Sequence, residues 1–170
     1  MLKFVQAEKK KRILKQKIKQ NADNMLIGEI LKKSVIKKIF DIDFEKQEFA
    51  LLEHKKPYMP DYPDIHFNIS HSGEYVALAV SQKPVGVDIE KIKEYNYDVA
   101  KRVCNERELK QLEESNDKAS YFIKLWTQKE AVLKMKGIGI AKGDIKNCLN
   151  NQNVESERIE DYWLSVCEEI

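Results

Sequence analysis

Between Asp64 and Lys91 three short runs, IHFNIS, YVALAV and VGVDIE, follow one another with only a few turn-type residues between them. Linkers this short join antiparallel neighbours and leave no room for a crossover helix, so the sequence predicts an antiparallel meander. In the first run Ile65, Phe67 and Ile69 alternate with His66, Asn68 and Ser70, the pattern of a half-buried strand. The second run is apolar throughout and reads as a buried strand. In the third, Val85, Val87 and Ile89 alternate with Gly86, Asp88 and Glu90. The two acids therefore leave the same face of one strand, two residues apart. Like charges so placed repel unless a positive group lies near both.

The rest of the chain frames this meander with helices. Leu26, Ile27, Ile30, Leu31, Val35 and Ile39 recur at helical spacing, which predicts a helix from Asn24 to Phe40 with an apolar face, capped by Asn21 or Asp23. KKPYMPDYPD carries three prolines and is expected to be a loop. YDVAKRVCNERELKQL suggests two helices broken near Asn105. SYFIKLWTQKEAVLKMKG is a strong helix that stops at Gly137. GIGIAKGD is a glycine-bearing loop, and VESERI with YWLSVC forms a closing hairpin that turns at Glu160–Asp161. The fold class expected is α+β: two similar halves, residues 1–86 and 87–170, each a helix on a small antiparallel sheet. The 170 residues are 42% hydrophobic and 34% charged, enough for a core within a soluble chain. No apolar run reaches the length of a membrane span, and MLKFVQAEKKKR lacks an apolar signal core, so a cytoplasmic protein is expected. Three scattered cysteines, Cys104, Cys148 and Cys167, argue against a disulfide framework or a zinc site.

Four features bear on chemistry. Residues 1–20 hold eight Lys or Arg against a single acid, Glu8, although the whole chain carries only +2. That run is either a solvated helix face or an anion site; the near-neutral total and the lack of interleaved aromatics argue against nucleic acid. Asp88 and Glu90 supply two hard oxygen ligands on one rigid strand, which suits Mg²⁺, and Gly86 beside them leaves the backbone open to a ligand. Trp126, Glu130 and Lys134 fall at i, i+4 spacing and form one helix stripe. Glu130 is thus a third carboxylate, with Lys134 one turn on for a phosphate oxygen, while Phe122, Leu125, Val132 and Leu133 pack inward. In FNISHSG, Ser70 and His71 are adjacent and diverge, so a polar turn donating to an anion fits better than a nucleophile and its base. Lys55 and Lys56 add positive charge. Glu108 follows Asn105 at capping-box spacing, a structural task that leaves open a role as general base. Taken singly, each feature has an ordinary structural explanation.

Together, VGVDIE at 85–90, WTQKEAVLK at 126–134, FNISHSG at 67–73 and the KKP loop resemble the 4′-phosphopantetheinyl transferases, in particular the pseudodimeric type that serves surfactin-like peptide synthetases. The resemblance runs from about Lys9 to the end. It implies two pseudo-twofold halves with coenzyme A and Mg²⁺ in the cleft between them. Carried over, Asp88, Glu90 and Glu130 hold the metal; Lys9, Arg12, Lys56, Ser70, His71 and Lys134 bind coenzyme A; and Glu108 or Glu130 is the base. The implied reaction moves the 4′-phosphopantetheine arm onto a serine of an acyl or peptidyl carrier protein and releases 3′,5′-ADP. Coenzyme A and the apo carrier are the expected partners of a monomer that needs neither nucleic acid nor membrane. The loop after Gly137 is expected to face the carrier. The tail DYWLSVC resembles the family's final strand, which implies a complete domain with an abbreviated sheet after Asp144. Two alternatives stand beside this reading: a relative that binds coenzyme A without transferring, and a basic nucleic-acid-binding module.

Overall fold

The computed structural model describes residues 5, 7–52, 56–139 and 143–170. A short helix α1 (Ala7–Leu14) leads into α2 (Lys19–Phe40), which stops where Asp41 takes a left-handed conformation, φ 56°, and donates its N–H to the Lys37 carbonyl. Neither Asn21 nor Asp23 caps α2: the helix begins at Lys19, and the Asp23 carboxylate pairs with that lysine at 2.9 Å. Nor is its inner face the expected apolar stripe. Asn24, Gly28, Glu29, Lys32, Lys33 and Ile36 are buried, Leu26, Ile30, Leu31 and Val35 are half-buried, and Ile27 and Ile39 are 50% and 58% exposed. Gly28 explains the rotation, because a Cβ there would already stand 3.4 Å from Ile69 and 3.6 Å from Val76. The helix lies against the strands at its smallest residue. The polar groups that follow it inward find partners: Asn24 donates to the Gly73 carbonyl at 3.0 Å, and Lys32 pairs with Glu29 at 2.9 Å.

The proline loop contains a minimal strand pair, β1 (Ala50–Leu51) with β2 (Pro57–Tyr58). Strands β3 (His66–Ser72) and β4 (Tyr75–Ser81) form an antiparallel hairpin turning at Gly73, φ 54°. β4 is half-buried along its length.

The third run departs from the expected meander. β5 (Val85–Lys91) does not pair through its backbone with that hairpin; it joins the closing hairpin of β6 (Val154–Ile159) and β7 (Tyr162–Glu168) in a sheet ordered β5-β7-β6. Side chains occupy the seam between β3 and β5 instead. Asn68 accepts from the Val87 N–H at 2.9 Å, and Ser72 accepts from the Lys91 N–H at 3.2 Å. The polar face of FNISHS is thus consumed in stitching two sheets together.

Helices α3 (Tyr97–Val103) and α4 (Glu106–Glu114) are separated at Asn105, which caps α4 in a full capping box with Glu108. The long helix α5 (Lys118–Lys136) starts at an Asp117 cap and ends at Gly137, φ 69°. It lies across β5 and β7, burying Phe122, Leu125, Val132 and Leu133 as its periodicity requires. Ile36, Ile42, Met59, Ile65 and Phe67 form the core under α2. Separate clusters around Leu112 and Phe122 and around Val132 and Cys167 form the core under α5. All three cysteines are free and buried. No helix among the described residues is long and apolar enough to cross a membrane. The architecture is α+β.

Candidate functional site

Gly86 determines where α5 sits. A Cβ at this position would stand 2.0 Å from the Ala131 carbonyl oxygen and 2.4 Å from the Met135 nitrogen. The face of β5 that carries Gly86, Asp88 and Glu90 is therefore the face α5 lies on, and the glycine admits a helix backbone rather than a ligand. This corrects the expectation of an open approach at Gly86. Because Ala131 and Met135 lie over Gly86, their neighbours Glu130 and Lys134 are carried toward Asp88. β3 closes the other side. The result is a cavity of about 310 Å³ walled by Ser70, His71, Asp88, Glu90, Glu130 and Lys134, with Ile69 and Trp126 as its apolar boundary. A second cavity of about 230 Å³ shares Glu90 and Trp126 and continues over Tyr95, Val99, Phe122 and Ile123.

Lys134 supplies the positive charge that the paired acids require. Its ammonium lies 2.5 Å from Asp88 Oδ1 and also donates to Ser70 Oγ at 3.1 Å. Ser70 donates to the same Asp88 oxygen at 2.7 Å. Glu90 is held by Ser72 at 2.9 Å, with Lys93 at 3.8 Å. Among the described residues Glu130 has no hydrogen-bond or ion-pair partner of this kind. Burial pushes its pKa above the ordinary carboxylate value, Lys134 opposes the shift, and Asp88 and Glu90 add to it. His71 is exposed at the rim.

The three carboxylates share one cavity but are not drawn into a ligand cage; among the described residues no group of three His, Cys, Asp or Glu is arranged to hold a metal. The donor set nevertheless fits a hard divalent cation. Asp88 is 4% exposed, and its Oδ2 is buried without a hydrogen-bond partner. An orphaned carboxylate oxygen is costly unless something positive meets it, and the three carboxylates outnumber the two ammoniums near them, Lys134 and, at 3.8 Å from Glu90, Lys93.

Other expected site residues lie outside this cavity's walls. Glu108 is buried, accepts from the Asn105 N–H at 2.8 Å and pairs with the fully buried Lys129 at 2.9 Å. Lys129 in turn donates to the Ile145 and Lys146 carbonyls. Lys56 donates to the Met135 carbonyl at 2.8 Å, fastening the end of α5, and burial lowers its pKa. Lys9 pairs with Glu29 at 3.2 Å, and Arg12 is exposed on α1. Lys3, Lys55, the Glu8 side chain and residues 140–142 of the glycine loop lie outside the described residues. The polar turn expected at Ser70–Gly73 is strand as far as Ser72, which lies in β3 at a spacing from Ser70 that repeats that of Glu90 from Asp88.

Comparison with known proteins gives two family matches. Residues 84–166 match the 4′-phosphopantetheinyl transferase superfamily, and residues 1–83 match a family described as 4′-phosphopantetheinyl transferase, N-terminal. The 4′-phosphopantetheinyl transferase Sfp of Bacillus subtilis (strain 168) is 36% identical over 140 residues, 81% of this chain and 62% of the relative. The transferase ffp of Bacillus subtilis is 37% identical over 146 residues, 83% of this chain and 64% of the relative. The transferase gsp of Aneurinibacillus migulanus is 34% identical over 181 residues, 96% of this chain and 76% of the relative. The chain thus spans somewhat under two thirds of the length of the first two of these relatives.

Proposed function

The chain belongs to the 4′-phosphopantetheinyl transferase superfamily, and from that premise we propose that it transfers the 4′-phosphopantetheine group of coenzyme A to a serine of an acyl or peptidyl carrier protein. The observation that carries the proposal is the convergence of Asp88, Glu90, Glu130, Lys134, Ser70 and His71 on one cavity, from three elements far apart in sequence. Asp88, Glu90 and Glu130 would hold Mg²⁺. Bound there, the ion would draw charge from the pyrophosphate oxygens of coenzyme A. Lys134 would leave Asp88 in part to meet a phosphate, with Ser70 and His71 as further donors.

In the transfer, the serine Oγ of the carrier forms a bond to the β-phosphorus. The bond from that phosphorus to the bridging oxygen breaks, and 3′,5′-ADP leaves with the electron pair. The serine proton goes to a carboxylate. Glu130 suits that task best on position, because it faces the cavity while Glu108 lies outside its walls. Glu108 has its carboxylate committed to Lys129 and a helix cap, so we assign it to positioning the end of α4. Lys56, Lys9 and Arg12 would meet the nucleotide end of coenzyme A only from outside the cavity walls.

The proposal includes a pseudo-twofold relation between residues 1–86 and 87–170, a cytoplasmic monomer, and no role for nucleic acid or membrane. The test is direct: incubate the protein with coenzyme A, Mg²⁺ and several apo carriers, and follow carrier mass. A gain of one phosphopantetheine group, lost in Asp88→Ala and Glu130→Ala, is expected. No gain with any carrier would overturn the assignment.

A further inference from the structure

β3 and β5 run side by side in the same direction, and their polar side chains face one another in matched steps. Ser70 donates to Asp88 at 2.7 Å; two residues on, Ser72 donates to Glu90 Oε2 at 2.9 Å. The two serines are not equivalent. Ser70 also receives the Lys134 ammonium and so belongs to an ion-pair cluster. Ser72 has one remaining task. Its Oγ accepts the Lys91 backbone N–H at 3.2 Å, which fixes the hydroxyl relative to the strand and directs its proton at Glu90. Lys93 approaches the same Glu90 oxygen, at 3.8 Å. Oε2 is thus tethered, while among the described residues Oε1 has no hydrogen-bond partner, and Glu90 lines the cavity.

Glu90 needs such a tether more than Asp88 does. Glutamate has among the most rotamer freedom of any side chain to lose on being fixed. Glu90 is also only half-buried, whereas Asp88 is held on a packed strand by Ser70 and Lys134. We propose that Ser72 is a positioning residue that orients Glu90 for the divalent cation, acting from the opposite sheet across the seam. The proposal rests on the metal reading above. It also gives the seam a task beyond adhesion: the same contacts that join the two sheets arrange the ligands.

The test compares wild type, Ser72→Ala and Ser72→Thr, the last keeping the hydroxyl on a residue suited to a strand. Mn²⁺ binding is titrated by electron paramagnetic resonance with coenzyme A present, and the Mg²⁺ concentration for half-maximal transfer is measured in parallel. Loss of such an outer partner weakens metal binding roughly 10–100-fold. Ser72→Ala is expected to fall in that range with its rate at saturating Mg²⁺ little changed, and Ser72→Thr to recover most of the affinity. Thermal unfolding midpoints of the three proteins are expected to agree within a few degrees. Equal Mn²⁺ affinity in wild type and Ser72→Ala would overturn the proposal alone, as would a Ser72→Thr protein that is folded but as weak as Ser72→Ala. A wild type that binds no Mn²⁺ beside coenzyme A would overturn the metal reading and this proposal with it.

Discussion

Gly86→Ala tests the contact on which the geometry of the cavity depends. Gly86 lies within β5 with a backbone conformation open to any residue, so a methyl group there costs no dihedral strain. Its cost is steric. The added Cβ would lie 2.0 Å from the Ala131 oxygen, and restoring even a close carbon–oxygen contact of about 3.3 Å requires α5 and β5 to separate by about 1.3 Å. The nearest atoms belong to helix backbone, so no side chain can swing aside. Overpacking of this kind costs roughly 3 kcal/mol, which for a chain of this size lowers the unfolding midpoint by about 6–12 °C. The same displacement pulls Glu130 and Lys134 away from Asp88, and a misplacement of about 1 Å costs on the order of 100-fold in rate. Differential scanning fluorimetry and the carrier-mass assay together check both effects. Were Gly86 instead an opening for a ligand, alanine would weaken coenzyme A binding and leave stability intact. A Gly86→Ala protein with wild-type midpoint and wild-type turnover would refute the packing argument entirely.

Other perturbations separate structural from chemical roles. Lys134→Met leaves Asp88 buried without its cation and is expected to cost about 3 kcal/mol in urea unfolding; adding Asp88→Asn should recover more than about 1 kcal/mol, and strict additivity would deny the coupling. Glu108→Gln should destabilise the fold, because it strips the buried Lys129 of its partner, yet it should leave transfer per folded molecule within about tenfold, while Glu130→Gln abolishes transfer. A Glu108→Gln protein that is folded but inactive would return Glu108 to the chemistry. Burial lowers the pKa of Lys32 from 10.5 to about 8 against the pull of Glu29, so the native state releases this proton before the unfolded chain does. Relative to Lys32→Met, wild type should therefore gain up to roughly 3 kcal/mol as pH rises from about 8 to 10.5; a constant difference would place Lys32 in a more polar setting.

Much of the site was legible because its parts are local. The stripe of Trp126, Glu130 and Lys134 follows from helical spacing alone, and all three residues face the cavity. The alternation in VGVDIE placed both acids on one face, Gly137 ended α5, and the Asn105 capping box began α4 as expected. What was not legible depends on partners distant in sequence. The covered face of α2 was misjudged because periodicity favours large apolar residues, whereas the contact is made at Gly28. The third run was assigned to a meander because adjacency in sequence favours adjacency in a sheet. Yet β5 finds its backbone partner more than seventy residues later, at β7. Gly86 invited a ligand because nothing local announces that a helix will lie on it.

The cavity concentrates negative charge: three carboxylates converge on it against the ammoniums of Lys134 and Lys93, one of them with its pKa raised and another with a buried, unpartnered oxygen. Flexible elements would relieve that repulsion by moving apart, and the carboxylates would disperse. They stay together because the acids stand on β5 and α5, locked where Gly86 meets the Ala131–Met135 turn, and because β3 spends its polar face on the seam. A divalent cation bound only by the folded chain should therefore stabilise it by mass action, by about 2.7 kcal/mol at 100 times its dissociation constant. Asp88→Asn should reduce that gain, because it removes the charge of a buried carboxylate that lines the cavity. Ligand-dependent stabilisation of equal size in wild type and in Asp88→Asn would mean that the cation binds elsewhere, and that the strain in the cavity serves some other end.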